Sequence, residues 1–189
     1  MNSVIVEPSG VQRFYRLFFY SAGWLSIGGT VACLAGAGVH VLDHTWSGSD
    51  FIRHSVEALF VVWTITTVAL RYLTRVAPLR DFWRIVFRAA PTWYVIMALL
   101  LAAPLLVLEA FHAIGTQFRA TGSREFPLGV ELAVAVSGIG FAIVSIADIS
   151  LARFGLNPPR CKNGHPAKTT DRVCALCSEA VQQPASEQR

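Results

Sequence analysis

Charge is scarce in this chain. Asp, Glu, Lys and Arg make up only 15% of its 189 residues, against 53% hydrophobic. A soluble domain of that length needs more polar surface to cover its core, so the scarcity excludes an ordinary globular protein. The mean hydropathy of +0.49 points the same way. Cysteine is also sparse, at four residues, and three of the four cluster with a histidine, which suits a metal site rather than a disulfide framework. No glycine-rich phosphate loop, no nucleophile–base pattern and no internal repeat stands out. Those absences argue against the common catalytic classes and against a transporter built from two duplicated halves.

What is present is a set of four long apolar runs. A stretch of about 20 apolar residues is what a helix needs to cross a bilayer. The reading is therefore an all-α membrane protein with four transmembrane helices over residues 17–42, 51–73, 92–111 and 128–152, together forming a domain at 17–153. Residues 1–16 make an N-terminal interfacial segment, with Arg13 and Arg16 among aromatic rings. The first run continues well past Cys33, which favours a spanning helix over a cleaved signal. Gly28, Ala32 and Gly36 recur every four residues and predict a helix-packing face. The second run is rich in β-branched residues and threonine. Backbone groups in lipid must be satisfied within the segment, so helix is still expected. Pro104 predicts a kink in the third.

Between the second and third runs, Arg80, Arg84 and Arg88 fall on one helical face over residues 79–89, opposite Leu79, Phe82, Trp83, Val86 and Phe87. That pattern predicts an interfacial helix with its apolar side in the bilayer and its arginines on anionic headgroups. Thirteen of the sixteen Lys and Arg residues flank the N-terminus, this central loop or the C-terminus. The asymmetry places both termini in the cytoplasm of a bacterial inner membrane. It also accounts for the net charge of +4, so a nucleic-acid partner is not expected.

After the last run, Cys161-x3-His165-x8-Cys174-x2-Cys177 supplies three thiols and an imidazole, the ligand set of a closed tetrahedral zinc site. Gly164 allows the turn that folds two ligands toward one ion. This stretch resembles the small zinc-ribbon modules at the ends of many bacterial proteins, matching at Asn163, Gly164, His165, Val173, Cys174 and Cys177. Ser178 stands where those modules usually carry glycine. The resemblance covers residues 160–178 alone, and it implies a structural site with no position open to substrate. A zinc-binding module at 158–178 and a disordered tail at 179–189 follow.

Polar residues gather at the opposite ends of the helices. His40, His44, His54, Glu57, Glu109, His112 and Glu131 all map to the outer face. Glu109-x2-His112 has the spacing of carboxylate-bridged di-iron bundles, but the second such motif is absent. Asp148 is isolated within the fourth run and is expected to pair with an arginine of the central loop or to sit near the inner boundary. The leading expectation is a non-catalytic membrane accessory or scaffold subunit with a membrane or cytoplasmic protein partner. A redox or metal protein using the outer cluster is the first alternative. A small oligomeric channel or transporter is the second.

Overall fold

The computed structural model describes residues 10–42, 49–73, 79–119, 128–156, 158–167, 172–174 and 177–182. It is mostly helical: α1 (Gly10–Leu42), α2 (Ser49–Leu73), α3 (Leu79–Ala89), α4 (Thr92–Arg119) and α5 (Leu128–Phe154), then strands β1 (Arg160–Cys161) and β2 (Val181–Gln182). By length and composition, three of these helices can cross a membrane, within α1, α2 and α5, and α4 carries a shorter apolar stretch, Thr92–Val107.

Helix α5 is the axis of the bundle. About 72% of its apolar window is buried, against 33% for α1 and 11% for α2. Its sequence explains the difference, because Ala135, Ser137, Gly138, Gly140, Ala142, Ser145 and Ala147 present almost no side-chain bulk. Small residues let neighbouring backbones approach closely where burial of apolar surface gives no driving force of its own. The direction of each neighbour follows from its contacts. Thr30 of α1 donates to the Gly138 carbonyl at 3.2 Å, while Gly23, earlier in α1, abuts Ile149, later in α5. So α1 runs antiparallel to α5. Leu105 of α4 packs on Gly138 and Tyr94 lies by Ser145, again antiparallel. Leu59 of α2 packs on Gly140 and Thr66 bonds Asp148, so α2 runs parallel to α5. The start of α1, the α3 segment and the end of α5 therefore share one end of the bundle.

Several expectations change here. The face of α1 turned to its partners carries Gly23, Gly29 and Gly36, which meet Ile149, Phe141 and Phe51. Gly28 faces open space and Ala32 is exposed, so of the expected trio only Gly36 belongs to the packed face. Four-residue spacing was the wrong period, because the contacts recur at nearly two turns along the helix. Helix α4 continues past residue 111, the expected end of the third span, as far as Arg119; no proline falls between Phe111 and Arg119, and Gly115 costs a helix only about 1 kcal/mol. Helix α4 runs through Pro104 as one element. Helix α3 does not turn its whole apolar side to lipid. Ile85, Val86 and Ala89 are buried, with the Ser150 hydroxyl of α5 donating to the Val86 carbonyl at 2.7 Å. Arg84 and Arg88 are exposed, as the periodicity predicts; the side chains of Leu79, Arg80, Phe82 and Trp83 lie outside the described residues.

Arginines close the shared end. Arg153 donates to the Ala89 carbonyl at 3.1 Å, placing a cation on the C-terminal end of α3, where helix carbonyls lack partners. Arg16 lies against Gly155, just past the end of α5, where the backbone turns with φ +77°.

The packing around Gly138 leads to a paired test. A Cβ there would collide with Leu105 and stand 3.0 Å from Cys33, whereas at Gly28 it would meet nothing within 4 Å. Gly138→Ala should destabilise the detergent-solubilised protein by about 1–3 kcal/mol through overpacking, while Gly28→Ala should be neutral or slightly stabilising. Equal midpoints for the two variants in thermal unfolding would contradict this account of α5.

Candidate metal centre

Beyond Gly155 the chain has too few apolar residues to build a core, and it folds instead around four side chains. The ligand atoms of Cys161, His165, Cys174 and Cys177 lie within 4.8 Å of one another. Two short turns deliver them. In the first, the Gly164 N–H donates to the Cys161 carbonyl at 2.8 Å and the Cys161 N–H to the His165 carbonyl at 3.1 Å. Gly164 has φ +78°, the left-handed conformation in which glycine carries no steric penalty. Arg160 reinforces this turn by donating to the Gly164 carbonyl at 2.9 Å. In the second turn, the Ser178 N–H donates to the Cys174 carbonyl at 2.9 Å and the Cys174 N–H to the Glu179 carbonyl at 2.7 Å.

Strands β1 and β2 then bring the two turns together. They pair antiparallel, with Cys161 opposite Val181 and Arg160 opposite Gln182. This corrects the expected boundary. Residues 179–182 belong to the module rather than to a disordered tail, because β2 supplies the hydrogen-bonding edge for the strand that carries Cys161. Residues 183–189 lie outside the described residues.

The separations identify the chemistry. Cys161 Sγ stands 3.6 Å from Cys177 Sγ and 3.6 Å from His165 Nδ1, and Cys174 Sγ stands 3.9 Å from His165 Nδ1. A disulfide would hold its sulfurs at about 2.05 Å, and all four cysteines are free. A tetrahedral ion with ordinary zinc–sulfur and zinc–nitrogen bond lengths has edges of about 3.8 Å between sulfurs and about 3.6 Å between sulfur and nitrogen. The four atoms can therefore hold a metal ion through Nδ1 of His165 and the three sulfurs. Cys161 and Cys174 are buried and Cys177 is partly accessible. Without metal, the backbone hydrogen bond at Glu179 and then the His165 side chain favour the thiolate of Cys177, bringing it down to about 6 from 9.0. Among the described residues no other group of three or more His, Cys, Asp or Glu side chains could hold an ion.

Of the outer-face candidates, the structure describes the side chains of His54 and Glu57. His54 and Glu57 pair with each other along α2 at 3.5 Å, both about two-thirds exposed, which is an ordinary surface contact. The side chains of His40, Glu109, His112 and Glu131, and the whole of His44, lie outside the described residues. Sequence reasoning missed one participant elsewhere. Thr66 is the hydrogen-bond partner of Asp148, at 2.6 Å, in place of the expected arginine; a threonine in a β-branched run gives no sign of this. Ser178 has φ +58°, so the position where similar modules carry glycine needs left-handed backbone here as well. Nothing matches the chain among protein-family models, curated proteins or solved structures.

Two outcomes follow from this geometry. Ser178→Gly should relieve the left-handed strain and tighten the metal-loaded module by about 0.5–1 kcal/mol; competition with a chromogenic chelator measures it, and weaker metal retention in the variant would refute the strain argument. The second concerns metal removal. Chelation should dissolve the arrangement that holds the ligands, so Cys161, Cys174 and Cys177 should all alkylate readily in metal-free protein and resist alkylation together when zinc is bound. Protection of Cys161 and Cys174 that persists after chelation would contradict metal-dependent folding of the module.

Proposed function

We propose that this chain is a non-catalytic subunit of a larger membrane complex, anchored by four transmembrane helices and carrying a structural zinc knuckle in the cytoplasm. The observation that carries the reading is the closed ligand set: all four tetrahedral positions are taken by the chain itself, so nothing remains for a substrate or an activated water. Zinc suits three thiolates and one imidazole better than harder ions do. A module of this size has no core of its own, so metal binding of about 10 kcal/mol would supply its folding energy.

The bundle supports the membrane part of the reading. Leu25, Phe60, Val68 and Leu100 are all at least 65% exposed, a distribution suited to lipid and unsuited to water. Helix α4 would serve as the fourth span. Tyr20, Trp24 and Trp93 cluster on the surface near the arginine-rich end, with Trp24 and Trp93 ring centroids 6.4 Å apart, in the manner of an aromatic belt at a membrane boundary. The start of α1, the α3 segment and the end of α5 share that end, and the positive-inside rule assigns it to the cytoplasm of a bacterial inner membrane. Arg80, Arg84 and Arg88 would then meet anionic headgroups. The weakly covered α2 offers the surface on which a partner's helices would pack.

Purification from native membranes at mild detergent concentration, with mass spectrometry and elemental analysis, tests the proposal. The expected result is one zinc per chain and a reproducible partner protein at stoichiometric yield. Recovery of a stable lone monomer would overturn the subunit reading, and a second bound metal or a haem absorbance would overturn the non-catalytic one.

A further inference from the structure

The bundle encloses an ionisable group that the scaffold reading does not use. Asp148 of α5 is 0% exposed. Its Oδ1 accepts the Thr66 hydroxyl of α2 at 2.6 Å, and its Oδ2 is buried with no hydrogen-bond partner. A carboxylate left so would be an uncompensated charge in a low-dielectric interior, which is strongly unfavourable. Three arrangements could relieve that cost: a basic side chain, a bound metal cation, or a proton.

The neighbouring elements decide among them. Tyr15 of α1 and Tyr94 of α4 are near enough to feel the charge of the carboxyl; both are phenols that are neutral at physiological pH. Arg16 of α1 lies against Gly155, past the end of α5, and its own Nε is buried without an acceptor. Arg153 of α5 is engaged with the Ala89 carbonyl. Helix α3 presents Val86 to Ser150 and keeps Arg84 and Arg88 exposed, and α2 keeps Arg71 exposed. No described cation is therefore within pairing distance. A metal cation needs several converging oxygens, yet only Thr66 reaches the carboxyl, and the Tyr94 hydroxyl proton is committed to the Gly23 carbonyl at 3.0 Å. A proton needs a single oxygen, and Oδ2 is vacant for it.

We propose that Asp148 is a proton-binding site within the membrane bundle, holding a proton on Oδ2 at neutral pH while Thr66 donates to Oδ1. The step is a simple exchange: the carboxylate takes up one proton to give the neutral acid, and releases it again when the bulk is alkaline enough. Release would leave a negative charge between α5 and α2 with Thr66 as its one donor. Because α2 is the least buried of the three long apolar helices, it is the element whose seating depends on that proton.

The test is infrared spectroscopy of the full-length protein in nanodiscs of uncharged lipid, with and without isotope labelling of the aspartate side-chain carboxyl carbon. At neutral pH the expected spectrum contains a protonated-carboxyl C=O stretch that shifts with the label, is lost in Asp148→Asn, and disappears at higher pH. The absence of any label-sensitive protonated-carboxyl band at neutral pH would overturn the proposal. So would a band that survives Asp148→Asn, or one abolished at constant pH by sodium or potassium ions, which would make this a cation site. The label requires no substitution, so the measurement stands even where Asp148→Asn folds poorly.

Discussion

Backbone-close packing along α5 is the constraint on which the rest of the structure depends. Inside a bilayer, lipid is as apolar as leucine, so helices associate through contact quality and through polar groups that find partners across the interface. Gly138 and Gly140 admit Leu105, Cys33 and Leu59 to within contact of the α5 backbone. Three helices can then share one axis. The same closeness lets hydroxyls reach backbone carbonyls on neighbouring helices: Thr30 to Gly138 at 3.2 Å, Tyr94 to Gly23 at 3.0 Å and Ser150 to Val86 at 2.7 Å. Each such bond adds modest stability, but together they set the register of α1 and α3 on α5 and of α4 on α1.

Burial of that quality has a consequence for polarity. Ser26, Thr30, Thr66, Ser137, Ser145, Asp148 and Ser150 are all buried, and they form a polar lining to an otherwise apolar bundle. Thr30, Ser145 and Ser150 are tolerated there because each donates to a carbonyl of its own or a neighbouring helix. A carboxyl has no such local solution, and Asp148 relies on the one helix, α2, that the bundle holds least. Its environment thus links an ionisable group to the loosest part of the fold, whereas the hydroxyls bind the tightest parts together.

The metal module is organised on a different principle. Its backbone order comes from two turns and a two-residue strand pair, too little to fold a chain in water. Between them lie four ligand atoms within 4.8 Å of one another that could hold a metal ion, and a module of this kind would fold as it binds one. The helical body and the module therefore differ in what can stabilise them: close packing among small residues in one, four candidate ligands in the other.

Much of this was legible in the residues alone. Four apolar runs, the arginine period of α3 and the Cys161, His165, Cys174, Cys177 spacing are local patterns, and each reflects a local cause: the rise of a helix, the period of a face, the reach of a turn. The sequence determined that helices form, that an amphipathic segment joins two of them, and that four ligands can meet. Tertiary structure alone decided which glycines of α1 are packed, since the identity of the facing surface depends on how the helix is rotated against α5. It decided that Ile85 and Val86 are covered by protein, that β2 extends the module to Gln182, and that Asp148 is joined to Thr66. Each of these is a contact between residues distant in the chain, and no local period encodes which distant neighbour will stand opposite.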